Sequence, residues 1–442
     1  MATLRRLLAR EVLDSRGRPT VEVEAWGSDG SKGRATVPSG ASTGRHEALE
    51  LRDGDPSRFA GKGVLHACRN VREAIQPELL DRDLQDQAGI DAAMIALDGM
   101  PNKGKLGANA ILGASMAIAH AAAASRGEPL FEYLHRLRSG RPEPGDPPAR
   151  PACLPMPMVN LISGGLHAGR KLDLQDFLMI PVGARSYSEA LAMTADVYRS
   201  LGEVLRGHGE EGDLVGDEGG YGPALSGNRE ALDRLMEAFR RAGLEPGRDV
   251  AIAIDVASTH FFEPSTGLYT LKAEGGGPIE SGRIVDLLES WTRDYPIVSI
   301  EDGLAEDDFE GWATLTNRQG KSAQLIGDDL FATQVGRLRD GIERGIANAI
   351  LIKLNQVGTL TETFEALSMA RRHGYRTVVS ARSGETEDTT IADLAVASSA
   401  GQIKIGSIVR SERLAKYNQL LRIEEALGGP DLAPFAGFRP PG

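Results

Sequence analysis

Cysteine is nearly missing from this chain: Cys68 and Cys153 are its two thiols, and their positions form no metal-binding or redox motif. Positive charge is also in deficit. A net charge of -12 repels phosphate backbones and anionic lipid heads, which excludes nucleic acid and membrane as main partners. An anionic substrate would therefore need cations gathered locally. No long uninterrupted apolar run occurs. The most apolar helical stretch, 108–125, is broken by Gly113 and carries Asn109 and His120, so it reads as too short and too polar to span a bilayer and is expected to be a buried helix. No charged-then-apolar leader opens the sequence, which makes the cytoplasm the expected location.

What is present is ordinary globular material. Hydrophobic residues make up 41% and charged residues 25%, close to the averages that accompany a packed core. The 442 residues accommodate an α/β barrel of roughly 250 residues with a second domain beside it. Residues 1–37 hold β-branched runs around Val21–Ala25 and Arg34–Val37, separated by the Gly27–Gly30 turn, the pattern of a small antiparallel meander. Helical periodicity covers about 57–138. The prolines between Arg141 and Pro157 then remove backbone donors and mark a boundary. The division that follows is a first domain over 1–140, a linker over 141–157 and a barrel over 158–442.

Beyond the linker, short apolar runs end abruptly in charge and give way to amphipathic segments, the rhythm of repeated β/α units. Val250–Ile254 ends in Asp255, Ile297–Ile300 in Glu301, Gln324–Gly327 in Asp328 and Ala349–Ile352 in Lys353; Thr377–Val379 leads into 380–385 and Gln402–Ile403 into Lys404. The C-terminal strand ends of a parallel barrel share one face, so these charges are expected to converge on one pocket. Asp255, Glu301 and Asp328 make an oxygen-only donor set suited to Mg²⁺. Lys353 and Lys404 read as one general base and one substrate- or metal-side charge, with burial and nearby cations lowering the base's pKa. The glycine-rich stretches 37–44 and 216–222 lack the lysine and Ser/Thr of a P-loop and suit hinged lids better.

Several blocks resemble the enolase (phosphopyruvate hydratase) family: Ser15-Arg-Gly-Arg-Pro-Thr20, Gly107-Ala-Asn-Ala-Ile-Leu-Gly113, Gly216-Asp-Glu-Gly-Gly220, Ser299-Ile-Glu-Asp302, Gly327-Asp-Asp-Leu330, Ser383-Gly-Glu-Thr-Glu-Asp-Thr389, Ser411-Glu-Arg-Leu-Ala415 and Arg422-Ile-Glu-Glu425. The resemblance implies an N-terminal α+β domain capping an enolase-type modified (β/α)8 barrel, usually as a homodimer or higher homo-oligomer. It also implies a lyase that abstracts the proton α to a carboxylate of a small phosphorylated or phosphonylated acid, with Mg²⁺, two ions per site. By position, Lys353 is the base; Asp255, Glu301 and Asp328 hold the first metal and Ser42 the second. Arg382 and Ser383 contact phosphate, Lys404 the substrate carboxylate, and His167 a lid near the phosphate. Glu218 assists departure of the 3-hydroxyl, with Asp176 beside it, and Gln175 and Ala381 border the substrate.

Two positions depart from the family pattern, which has glutamate at Asp176 and histidine at Ala381. His373, in a helix-end context, does not replace the missing imidazole. Shortening the acid withdraws its carboxylate by roughly 1.5 Å, and a misplacement of about 1 Å can cost a hundredfold in rate. The proton-abstracting half is thus intact and the departure half altered. This favours a specialised paralogue acting on a phosphonate relative of 2-phosphoglycerate, like the carboxyphosphonoenolpyruvate synthases. The alternatives are an authentic enolase forming phosphoenolpyruvate, and a non-catalytic binding protein that kept the fold.

Overall fold

The computed structural model describes residues 1–40, 44–139, 153–169, 172–429 and 432–435. The chain begins with an antiparallel sheet of β1 (Leu4–Leu13), β2 (Pro19–Gly27) and β3 (Lys32–Thr36). Strands β2 and β3 meet the expected meander. Strand β1 is not evident from its sequence because Arg5, Arg6 and Arg10 interrupt its apolar positions, of which Leu4, Leu7 and Ala9 are buried.

The sheet packs on the helix Ala108–Arg126, and two glycines let them meet closely. A Cβ on Gly33 would lie 2.1 Å from the Ala117 carbonyl oxygen and 2.3 Å from the Ala121 nitrogen. One on Gly113 would lie 2.7 Å from Val23 Cγ2. Gly113 therefore does not interrupt the helix, contrary to the sequence expectation; it is where the helix touches the sheet. The helix runs unbroken for 19 residues and is long and apolar enough to cross a bilayer, which corrects the reading that it is too short and too polar. In this fold 83% of its most apolar window is buried inside the protein, as expected of a core helix.

The second part is a closed barrel. Its strands are β4 (Met156–Ser163), β5 (Asp176–Ile180), β6 (Ala251–Asp255), β9 (Ile297–Glu301), β10 (Gln324–Gly327), β11 (Ala349–Ile352), β12 (Arg376–Ser380) and β13 (Gly401–Gly406). A two-residue hairpin pair, β7 (Phe262–Glu263) and β8 (Leu268–Tyr269), lies outside it. Strand β4 starts at Met156, so the last two residues of the proline-rich 141–157 stretch belong to regular structure, with Pro157 in register with Ile403. The rest of that stretch up to residue 152 lies outside the described residues. All barrel pairings are parallel except β4 with β5 and β5 with β6, so the expected modified barrel carries its irregularity at β5.

Period-two alternation explains how this barrel makes a site. Inside it, Leu178, Ala253, Ile326, Leu351 and Val378 form a core separate from the one beneath the outer helices. Gln324 and Gln402 bridge the interior in both directions, at 3.0 and 2.8 Å. Two residues further along the same faces come Asp176, Asp255, Asp328, Lys353, Ser380 and Lys404. The chemistry is thus the top layer of the barrel's packing. The N-terminal domain closes over this mouth: Arg16 Nη1 donates to Ser383 Oγ at 3.1 Å, and Ser39 and Gly384 exchange backbone hydrogen bonds of 2.8 and 2.9 Å. Fully buried Arg413 holds the loop from beneath, donating to the carbonyls of Arg382, Ser383 and Ile405.

Because the atoms against Gly33 are helix backbone, Gly33→Ala should cost about 3 kcal/mol, the upper part of the overpacking range, seen as a lower urea midpoint. Gly336→Ala, on a helix with nothing within 4 Å of the new Cβ, should be neutral or gain up to about 1 kcal/mol.

Candidate active site

Strand register brings the acids together. Asp255 and Glu301 are direct partners on β6 and β9, and Asp176 is the partner of Asp255 across β5. Asp176 reaches the mouth as the first residue of its strand because β5 runs antiparallel to its neighbours. On the other side Ser380 pairs with Lys404. One cavity is lined by His167, Gln175, Glu218, Asp255, Asp328, Lys353, Ala381, Arg382, Ser383 and Lys404, so most residues singled out in the sequence do meet. Ser42 lies outside the described residues. His373 is exposed at a helix end, far from any role as a substitute imidazole.

The cations are already paired with the acids. Lys404 Nζ donates to Asp255 Oδ2 at 2.7 Å and to both oxygens of Glu301 at 2.8 Å. Burial alone would depress this lysine, yet Asp255 and Glu301 hold its pKa well above the ordinary value. Lys353 Nζ is bonded to Asp328 Oδ2. Here too burial works to lower the pKa, and Asp328 reverses it to a net rise. This corrects the expectation that neighbouring cations depress it: Arg382 does so, but more weakly than Asp328 raises it. Arg382 forks onto Glu47, with Nη1 to Oε2 at 3.0 Å and Nη2 to Oε1 at 3.1 Å.

His167, Asp176 and Glu218 form a third paired group. Asp176 Oδ1 accepts from Asn160 Nδ2 at 2.5 Å and faces His167 Nδ1 at 3.2 Å; His167 Nε2 lies 4.0 Å from Glu218 Oε1. Asp176 is 1% exposed and does not line the cavity, so it acts on the cavity through His167. Burial opposes charging of the imidazole, but Asp176 and Glu218 outweigh it and push its pKa up to about 9. Burial raises Asp176. Glu218 is lowered despite burial, chiefly by His167, so it is held as a carboxylate.

The donors fit a hard dication. Asp302, Asp328 and Asp329 offer oxygens all within 4.8 Å of one another. Burial and neighbouring carboxylates push Glu301 and Asp302 well above the usual range, the condition a bound cation relieves. The sequence-derived triad differs from this compact group: Asp255 and Glu301 are drawn to Lys404, and Asp328 alone is shared. Asp302 and Asp329 went unrecognised although each directly follows a recognised acid. Asp302 has φ 43°, and its carboxylate receives the backbone N–H groups of Asp328 and Asp329, both at 2.9 Å. Glu47 lies on a loop, Asn355 and Gln356 on the short helix Leu354–Val357 and Asn160 inside β4, so none of them left a signal at a strand end.

The imidazole pairing sets a pH dependence. In metal-free protein, an NMR titration of His167 should have its midpoint near 9, and Asp176→Asn should move it down toward the ordinary 6.5. A raised folded-state pKa adds stability in full below about 6.5 and loses it as pH rises through about 9. The melting-temperature gap between wild type and His167→Gln should shrink across that window.

The fold agrees with comparison to known families. The enolase N-terminal domain model matches residues 4–134, and the enolase C-terminal TIM barrel domain model matches residues 151–439. Together these matches span most of both structural units, and the chain belongs to the enolase family.

Proposed function

We propose that this chain is a Mg²⁺-dependent lyase that removes the proton α to the carboxylate of a small phosphorylated or phosphonylated acid and forms an enol ester. The observation that carries the reading is the convergence in one cavity of Lys353, Arg382, Ser383 and an oxygen-only acid cluster. Asp255, Glu301 and Asp328 would hold the ion, with Ser42 as a ligand for a second. Bound there, the ion would supply charge to stabilise the dianionic carboxylate that develops as the proton leaves. Lys353 would take the proton as the free amine, which requires that Asp328, the partner that keeps it charged, be drawn to the ion. Lys404 fixes the acids that face the substrate carboxylate, Gln175 borders them through a 3.2 Å bond to Asp255 Oδ2, and Arg382 with Ser383 receives the phosphoryl or phosphono group.

Ala381 supports the finer reading of a substrate other than 2-phosphoglycerate. It lines the cavity next to Arg382 at 6% exposure, and a methyl group there gives space but no proton. A phosphonate relative of 2-phosphoglycerate with an added anionic group would use both the space and the arginine, as in a carboxyphosphonoenolpyruvate synthase. One observation favours ordinary dehydration of 2-phosphoglycerate instead: His167 and Glu218 face each other at 4.0 Å, a gap an oxygen could bridge. Either way the imidazole carries a hydrogen on Nε2, whether the shared proton sits on Nδ1 or on Asp176. The departure step is assigned to this cluster, and assembly as a homodimer belongs to the same reading.

The test is a 2-phosphoglycerate assay with Mg²⁺, following phosphoenolpyruvate formation and loss of the α-proton to D₂O separately. The phosphonate reading expects α-exchange with little product from wild type, and product from Asp176→Glu/Ala381→His. Wild-type turnover at the rate of a sound enolase would establish the second reading. In both, Lys353→Ala should lose exchange by at least a thousandfold; retention of exchange would remove Lys353 from the role of base.

A further inference from the structure

Glu47 has no part in the chemistry set out so far, yet it stands among the active-site groups. Its side chain is 5% exposed and that of Arg382 is 4% exposed, so this ion pair is shielded from water. The carboxylate also accepts from the Gly44 backbone N–H at 3.1 Å and from Gln356 Nε2 at 3.4 Å. The same Gln356 amide nitrogen donates to Asp328 Oδ1 at 3.1 Å. Arg382 is fixed in turn: Nη1 also donates to Asn355 Oδ1 at 2.9 Å, its backbone N–H donates to Glu385 Oε1 at 3.0 Å, and its carbonyl accepts from Arg413.

The guanidinium offers its donors as flat pairs along separate edges, and an anion bound side-on needs one such pair. Glu47 takes the outer pair, Nη1 with Nη2, and Asn355 a further hydrogen of Nη1. A second anion approaching Arg382 meets a cation whose charge is already balanced by a carboxylate a few ångströms away, in a site where such charges are weakly screened.

We propose that Glu47 is a positioning and affinity-setting residue, the built-in counter-anion of Arg382. It holds the guanidinium in place and keeps the substrate's phosphoryl or phosphono group from being held too tightly. The inference rests on the reading of Arg382 as the substrate's anion contact. It places a residue of the capping domain, tied by its loop to Gly44, in control of a barrel residue, and through Gln356 next to Asp328. A merely structural staple between the domains would affect stability without any sign-specific effect on anion binding.

The experiment measures inorganic phosphate binding to the full chain by calorimetry, together with the exchange and turnover of 2-phosphoglycerate. Glu47→Gln keeps the shape and removes the charge, so phosphate should bind on the order of tenfold more tightly, while any turnover falls about tenfold because the fork is no longer held. Glu47→Asp keeps the charge and loses the reach, so phosphate affinity should stay within about twofold of wild type. It also serves if the glutamine variant fails to fold, since a tenfold change in phosphate affinity for Glu47→Asp would overturn the charge account. Unchanged or weaker phosphate binding by a folded Glu47→Gln overturns the proposal. Arg382→Gln is the control: if it binds phosphate as wild type does, Arg382 is not the anion contact, and the underlying reading fails first, taking the role of Glu47 with it.

Discussion

Charge compensation at the mouth of the barrel is the constraint on which this site depends. Asp255, Glu301, Asp302 and Asp328 are all less than a tenth exposed, and buried carboxylates so close together cannot all be ionised without cations beside them. Lys404 serves Asp255 and Glu301, Lys353 serves Asp328, and His167 serves Asp176 and Glu218. The charged groups of the candidate site are thus one another's counter-ions. A dication arriving among the acids changes the partners of the lysines as well as adding its own charge, so metal occupancy and the proton affinity of Lys353 are coupled by geometry.

The barrel makes this arrangement cheap to build. Each strand contributes inward residues at every second position, apolar in the lower layers and charged in the last. That regularity is why so much of the centre was legible in the sequence: Asp255, Asp328 and Lys353 stand where an apolar run stops, and Gln324–Gly327 and Ala349–Ile352 are the observed strands. Lys404 was also found, although it lies inside β13 rather than at its end.

What was not legible follows from the same geometry. Asp176 was reached only through the family resemblance: it begins a strand, its antiparallel direction puts it at the mouth, and no local pattern distinguishes an antiparallel member of a mostly parallel barrel. Glu47 comes from the other domain, and its partner Arg382 is 335 residues away. Asp302 serves by a left-handed backbone turn that points its carboxylate at the amides of the next strand's end. Gly113 misled in the opposite sense: a residue that weakens isolated helices is required there because the sheet lies against it. Propensity describes the segment alone, whereas these positions are decided by what packs on them.

On the reading proposed above, in which Asp176 and Ala381 depart from the family pattern, the two positions act in different ways. Asp176 sits behind His167, so shortening an acid there withdraws a carboxylate from the cavity and leaves it bonded to the imidazole and to Asn160. What faces the cavity is then a ring whose Nε2 hydrogen is maintained by its buried partner, in place of a second carboxyl group. Ala381 works by subtraction, leaving Arg382 without a neighbouring imidazole and with Glu47 as its fixed counter-charge. On that reading the abstraction side consists of cation–carboxylate pairs, while the departure side rests on one imidazole between two acids. Specificity in this chain should therefore be sought where charge has been removed, beside Arg382, and the proton for the departing group where charge is still concentrated, at His167.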